Sequence, residues 1–159
     1  MSLSEIFDHG EPHPWANFRI NNLTIDGDLL AGIDTEFNIT LSGPIPTPTV
    51  FSINAGKIGR IASLSFPIMT VSTPGGTPGP FSAPPGSLPA DFLPDFFDLV
   101  ELEYPVRVID AGVNPTSPGL LIIRSSGEID LFFDLSGAGF GTVGQRGMYG
   151  ISITYKTAI

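Results

Sequence analysis

The sequence predicts an all-β fold, an antiparallel sandwich or jelly roll, on three observations. Apolar residues recur at every second position through many short stretches, the period of a strand with one buried face. Among 159 residues there are 19 Gly and 16 Pro, about twice the usual share, and they cut those stretches short, which leaves little room for long helices. A hydrophobic content of 42% supplies material for a core and argues against disorder.

Residues 1–14 read as an irregular arm, with Pro12 and Pro14 flanking His13, and residues 15–159 read as one domain. "WANFRINNLTIDGD" carries Phe18 and Ile20 on one parity and Leu23 and Ile25 on the other, so a bulge or tight turn is expected at Asn21-Asn22. "EFNITLSGP" alternates strictly through Phe37, Ile39 and Leu41. "TVFSIN" and "KIGRIASLSFP" are expected to form a hairpin across "NAGK", with Gly56 at positive φ. "IMTVS" is a further strand.

Residues 73–90 form a long Pro/Gly loop with Phe81 in its middle, either a mobile connection or a docking arm. "DFLPDFFD" has room for one helical turn. In "LVELEYPVRVI", Val100, Leu102, Tyr104, Val106 and Val108 face one way and Glu101, Glu103, Pro105 and Arg107 the other. Pro105 lacks an N–H, so this strand belongs at an edge or carries a bulge. "GLLIIRSSGEIDLFFDL" reads as a hairpin turning at Ser125–Gly127. A Gly-rich loop from Gly137 to Gly147 then leads to "RGMYGISITYKT", with Tyr149, Ile151, Ile153 and Tyr155 on the buried parity and small polar residues on the other. The total is roughly eight or nine strands at even spacing, an all-β pattern without the helices of a parallel α/β fold.

The charge narrows the function. Sixteen acids against seven bases give −9, a surface that repels phosphate backbones, and the first fourteen residues contain no Lys or Arg. Nucleic acid is therefore not an expected partner. No apolar run approaches the ~20 residues of a spanning helix, so membrane insertion is not expected. The first residues lack the basic and apolar regions of a signal peptide. With no cysteine, thiol chemistry and zinc–thiolate sites are excluded.

Candidate chemistry is sparse. His9 and His13 stand four apart, but a metal pair at that spacing needs a helix, which Pro12 and Pro14 oppose. Neither histidine has a nucleophile in a G-x-S-x-G stretch to serve. Glu101 and Glu103 share a strand face, as paired carboxylates for glycoside hydrolysis would, but solubilising acids alternate in the same way. Asp91, Asp95 and Asp98 lack the Gly-containing loop of an EF-hand. The glycines from Gly137 to Gly147 precede a strand and no Gly-Lys-Ser/Thr, so they make a turning connection and not a phosphate loop. Asn22 and Asn38 match the glycosylation pattern by chance, both being expected in sheet. The expectation is a protein that is not an enzyme, with no catalytic residues, no cofactor and no metal.

The order "LPADFLP", "YPVRVIDAG", "GLLIIRSSGEIDLFF", "GFGTVGQRGMYGISITYKT", preceded by "SGPIPTPTVFSINAGKIGRIASLSFP", resembles the single jelly-roll domains, related in shape to tumour-necrosis-factor and C1q heads, of virion proteins from large DNA viruses and phages. The resemblance spans roughly Trp15 to Thr157. It implies an eight-stranded antiparallel single jelly roll whose C-terminal strand lies inside a sheet. It also implies a structural subunit of the capsid, of penton (vertex) or minor-capsid type, assembled in the host cell with copies of itself and with other capsid proteins. A pentamer is the favoured ring and a trimer the alternative. The rival role is a trimeric fibre head or lectin-like module binding a receptor or glycan. Trp15, Phe81, Tyr104 and Phe140 are the candidate contact residues.

Overall fold

The computed structural model describes residues 32–95 and 101–158, which belong to one compact unit, Ala31–Ile159. The arm and its boundary at residue 14, Trp15, both histidines, the expected slip at Asn21-Asn22, Asn22, Asp98 and Val100 lie outside the described residues.

The described chain is all-β apart from one 3₁₀ turn, Ala90–Phe92, which overlaps the start of "DFLPDFFD", the stretch with room for a helical turn. Its strands are β1 (Gly32–Leu41), β2 (Thr49–Ile58), β3 (Ile61–Phe66), β4 (Met69–Val71), β5 (Phe81–Ala83), β6 (Glu101–Val106), β7 (Val108–Ile109), β8 (Gly119–Arg124), β9 (Ile129–Phe132), β10 (Arg146–Met148) and β11 (Ile151–Lys156). They form two four-stranded sheets, β1-β2-β3-β11 and β5-β9-β8-β6, and a three-stranded sheet, β4-β10-β7. Every pairing is antiparallel.

The small sheet exists because three strands bend. β3 continues as β4 past Pro67-Ile68, β6 as β7 past Arg107, and β10 as β11 past Tyr149-Gly150. Counted as single strands, the bent pairs leave eight, and the antiparallel sandwich expected from the alternation is the fold observed. The end of β1 meets β5 through reciprocal backbone bonds between Ser42 and Ser82, at 2.9 and 3.0 Å.

The core lies between the two large sheets. Ile39, Ile53, Leu64 and Ile153 come from one, and Phe81, Leu121, Ile123, Ile129 and Leu131 from the other. Each such side chain contributes roughly 1.5–3 kcal/mol relative to exposure. The continuous run Leu120–Ile123 is buried on both parities, as a run without alternation should be.

Several local expectations hold. Pro105 sits on β6, the outer of the described strands of its sheet, where its missing N–H costs no ladder bond to a second described neighbour. The β8–β9 turn falls at Ser125–Gly127, with Gly127 at φ 76°. Two expectations fail. β2 runs unbroken through "NAGK" to Ile58, and the turn is Gly59-Arg60, with Gly59, not Gly56, in the left-handed region. The cause is Lys57, which lies on the buried parity with Ile53 and Ala55 and so prolongs the strand past its polar-looking end. The terminal stretch is likewise two strands. β10 lies inside a sheet, between β4 and β7, while β11 pairs only with β3 among the described strands. The phase changes at Gly150, so Tyr149 leaves the core that Ile153 and Tyr155 join.

A candidate interaction surface

The register of β1, β2, β3 and β11 decides what their sheet shows to the outside. Thr154 stands opposite Ser63, Ser63 opposite Gly56, and Gly56 opposite Asp34. One pair along, Ser152, Ser65, Asn54 and Glu36 make the next row. The centre of this outer face is therefore small and polar, with bulky Val50, Ile58 and Ile61 only towards its ends. Ser65 and Ser152 share a hydrogen bond of 2.8 Å, and the Ser52 hydroxyl donates to Glu36 Oε1. Asp34 and Glu36 make the β1 side acidic. On the β11 side, Lys156 and Arg60 converge on Asp95, at 2.9 and 2.7 Å.

A second region forms where β6 bends into β7. Arg107 is exposed there, and its guanidinium lies over the Tyr149 ring, 4.3 Å from the centroid. The Tyr149 hydroxyl donates to Asn114 Oδ1 at 2.8 Å, and its backbone N–H to the Arg107 carbonyl at 3.0 Å. Two large exposed apolar side chains belong to residues beside this pair: the Ile68 backbone lies against Gly150, next to Tyr149, and Val113 precedes Asn114. Arg124, in contrast, is surrounded by Glu101, Glu128 and Asp130. Hydrogen bonding to Asp130 is the main reason its pKa is raised.

Beneath the loops at this end lies Arg146, fully buried. Nε donates to Pro44 O at 2.6 Å, Nη1 to Gly144 O at 2.7 Å, and Nη2 to Thr73 O at 2.7 Å and Gly75 O at 3.3 Å. One guanidinium thus ties three loops together through their carbonyls. Nothing in "GQRG" marks this residue as interior. Only its place at the head of an apolar strand gives a hint.

The four candidate contact residues are not brought together. Phe81 and Phe140 are core residues, packed edge to face with centroids 5.1 Å apart, and Phe133 packs on Phe140 at 5.9 Å. They fail as surface platforms because β5 and the Gly79–Phe140 bridge fold both loops onto the core. Tyr104 is half-buried, its hydroxyl reaching the Thr154 carbonyl at 3.5 Å. Trp15 lies outside the described residues. Glu101 is taken up by Arg124, Asp95 by Arg60 and Lys156, and Glu103 and Asp91 are exposed. Among the described residues no three His, Cys, Asp or Glu side chains gather as a metal site. Asn38 lies in β1, paired with Ser52. Just before the Gly-rich loop, the Asp134 carboxylate accepts from Ser136 and Ala138, which lowers its pKa.

These features define an antiparallel β-sandwich with a polar outer sheet. Sequence comparison adds a homologue: structural protein V8 of the Sputnik virophage is 32% identical over 121 residues, covering 75% of this chain and 63% of the relative. The resemblance to virion structural proteins drawn from the sequence thus stands. The chain spans somewhat under two thirds of that relative's length. No protein-family model matches. The fold is shared with a reovirus attachment protein, sigma1, solved in complex with α-2,3-sialyllactose, at TM-score 0.53 and 16% identity over 96% of this chain and 82% of that one. The fiber head domain of the Atadenovirus snake adenovirus 1 is more remote, at TM-score 0.34 and 14% identity over 78% of this chain and 95% of that one.

Proposed function

We propose that this chain is a structural subunit of a virion capsid, of penton or minor-capsid type, that works by assembling with copies of itself and with other capsid proteins. The observation that carries the reading is the homology to a virophage structural protein. The outer face of β1-β2-β3-β11 supports it, since small side chains let a neighbouring subunit approach a sheet closely without trapping long side chains in one rotamer. The reading places the protein in the capsid and gives it no catalytic residue, cofactor or metal. A closed ring needs a heterologous contact repeated around an axis, and five copies is the ring favoured here. Analytical ultracentrifugation of the full chain measures this. A mass of five copies supports a vertex role, three copies shifts the reading to a fibre head, and a monomer at every concentration contradicts self-assembly.

One observation favours the fibre-head reading: sigma1, whose fold this chain shares, is an attachment protein crystallised with a sialylated glycan. With Phe81 and Phe140 buried, Tyr104 is the candidate platform residue left among those described. Titration with α-2,3-sialyllactose separates the two roles, and saturable binding lost in Tyr104→Ala supports attachment over shell building.

A further inference from the structure

We propose that Arg107, stacked on Tyr149, is the centre of a head-to-tail contact between copies of this chain and receives the exposed carboxylates of β1, Asp34 and Glu36, from the next copy. The inference rests on the self-assembly reading and names the contact it would use.

Four observations lead to it. In a chain of net charge −9, Arg60 and Lys156 are committed to Asp95, and Arg124 to three acids. Arg107 is exposed, and its described interaction is with an aromatic ring. Its Cζ lies over the ring, and a guanidinium carries its five N–H donors in a planar fork that takes a carboxylate bidentately.

The pair is also held in place before any partner arrives. Asn114 fixes the Tyr149 hydroxyl, so the ring keeps one rotamer, and the backbone bond from the Tyr149 N–H to the Arg107 carbonyl holds the two residues opposite each other. Arg and Tyr beside exposed Ile68 and Val113 have the composition of an interface centre, where apolar neighbours exclude water from a charged anchor.

The complement lies on the same chain but out of its own reach. Asp34 and Glu36 stand on the outward parity of β1, both exposed. The order of pairings runs from β1 through β2, β3–β4 and β11–β10 to β7, so three bent or straight strands separate the acids from Arg107. Two complementary patches on separate sides of one subunit give a heterologous contact that repeats, with charge matching that selects its register.

The test is a charge swap followed by analytical ultracentrifugation of the full chain, with circular dichroism and thermal midpoint confirming that each variant folds. Arg107→Glu is expected to weaken assembly at least tenfold. Adding Asp34→Arg and Glu36→Arg to that variant is expected to restore it. If Arg107→Glu assembles like the wild type, this inference falls while self-assembly stands. If assembly is lost and the reversed acids do not restore it, the assignment of Asp34 and Glu36 is overturned. A wild type that is monomeric throughout removes the self-assembly reading itself. Binding of α-2,3-sialyllactose that Arg107→Glu abolishes, with assembly intact, transfers the residue to a glycan and overturns the contact.

Discussion

Two interior polar residues show how single side chains hold this sandwich. Arg146 donates to four backbone carbonyls, all of them in Pro- or Gly-rich loops. Replacing it with Met removes the donors from one buried and three part-buried carbonyl contacts, a loss expected to cost at least about 1–3 kcal/mol, read as a lower urea midpoint. Arg146→Lys is expected to recover only part, because an ammonium cannot span three loops with a planar fork. Tyr155 is the second case. Its hydroxyl donates to Phe92 O at 2.6 Å inside the core, and burial, followed by the nearby Tyr104, raises its pKa. Above about pH 10 an unfolded tyrosine gives up its proton while Tyr155 keeps it, so the unfolded state binds fewer protons and stability falls as pH rises. Tyr155→Phe is expected to cost about 1 kcal/mol at neutral pH, the net value of one hydrogen bond, and to flatten the alkaline decline. Tyr104, whose pKa burial also raises, leaves a residual slope. An unchanged slope in the variant would show that Tyr155 is not its source.

At the scale of the element, alternation was readable wherever one face is buried and the other wet, as in Phe37–Leu41 and Leu102–Val108. The hairpin at Ser125–Gly127 was readable because its turn chemistry is local. What was not readable depends on contacts far away in sequence. Lys57 reads as part of the "NAGK" turn, and only its place on the buried parity with Ile53 and Ala55 shows it to be inside a strand. Phe81 looked like a loop aromatic because three-residue β5 is too short to announce itself amid prolines. The split of the last strand depends on Gly147, at φ 134°, where an added Cβ would lie 2.0 Å from the Met69 carbonyl oxygen. That close approach lets β10 pair with β4. Gly147→Ala is therefore expected to destabilise by roughly 2–4 kcal/mol, measured by thermal unfolding. Gly112→Ala is the control: its φ is 77° but nothing lies within 4 Å of the added Cβ, so only the left-handed backbone cost of about 1–2 kcal/mol applies.

At the scale of the molecule, the surface is legible as a pattern and silent as an interface. The small polar parity of the terminal strand, Ser152 and Thr154, could be seen in the sequence, but it becomes a face only when register sets it beside Ser63, Ser65, Asn54 and Gly56. Phe81 and Phe140, expected at the contact, went inside instead, and Arg107 with Tyr149, which alternation alone placed on opposite sides, met across a bend. A test of the face must change it without touching the core. Ser63 is suited to this: it is exposed, lies in the interior of β3 between Gly56 and Thr154, and faces away from buried Ala62 and Leu64. Ser63→Arg places a long charged side chain where only small ones stand. Surface substitutions of this kind shift folding by no more than about 0.5 kcal/mol, so the thermal midpoint is expected to stay put. Assembly is expected to fall by an order of magnitude or more, because the new side chain holds a docking subunit away and would have to be desolvated to admit it. Unchanged assembly in Ser63→Arg, with the fold intact, would mean that subunits meet elsewhere and that this face is simply the wet side of a sheet.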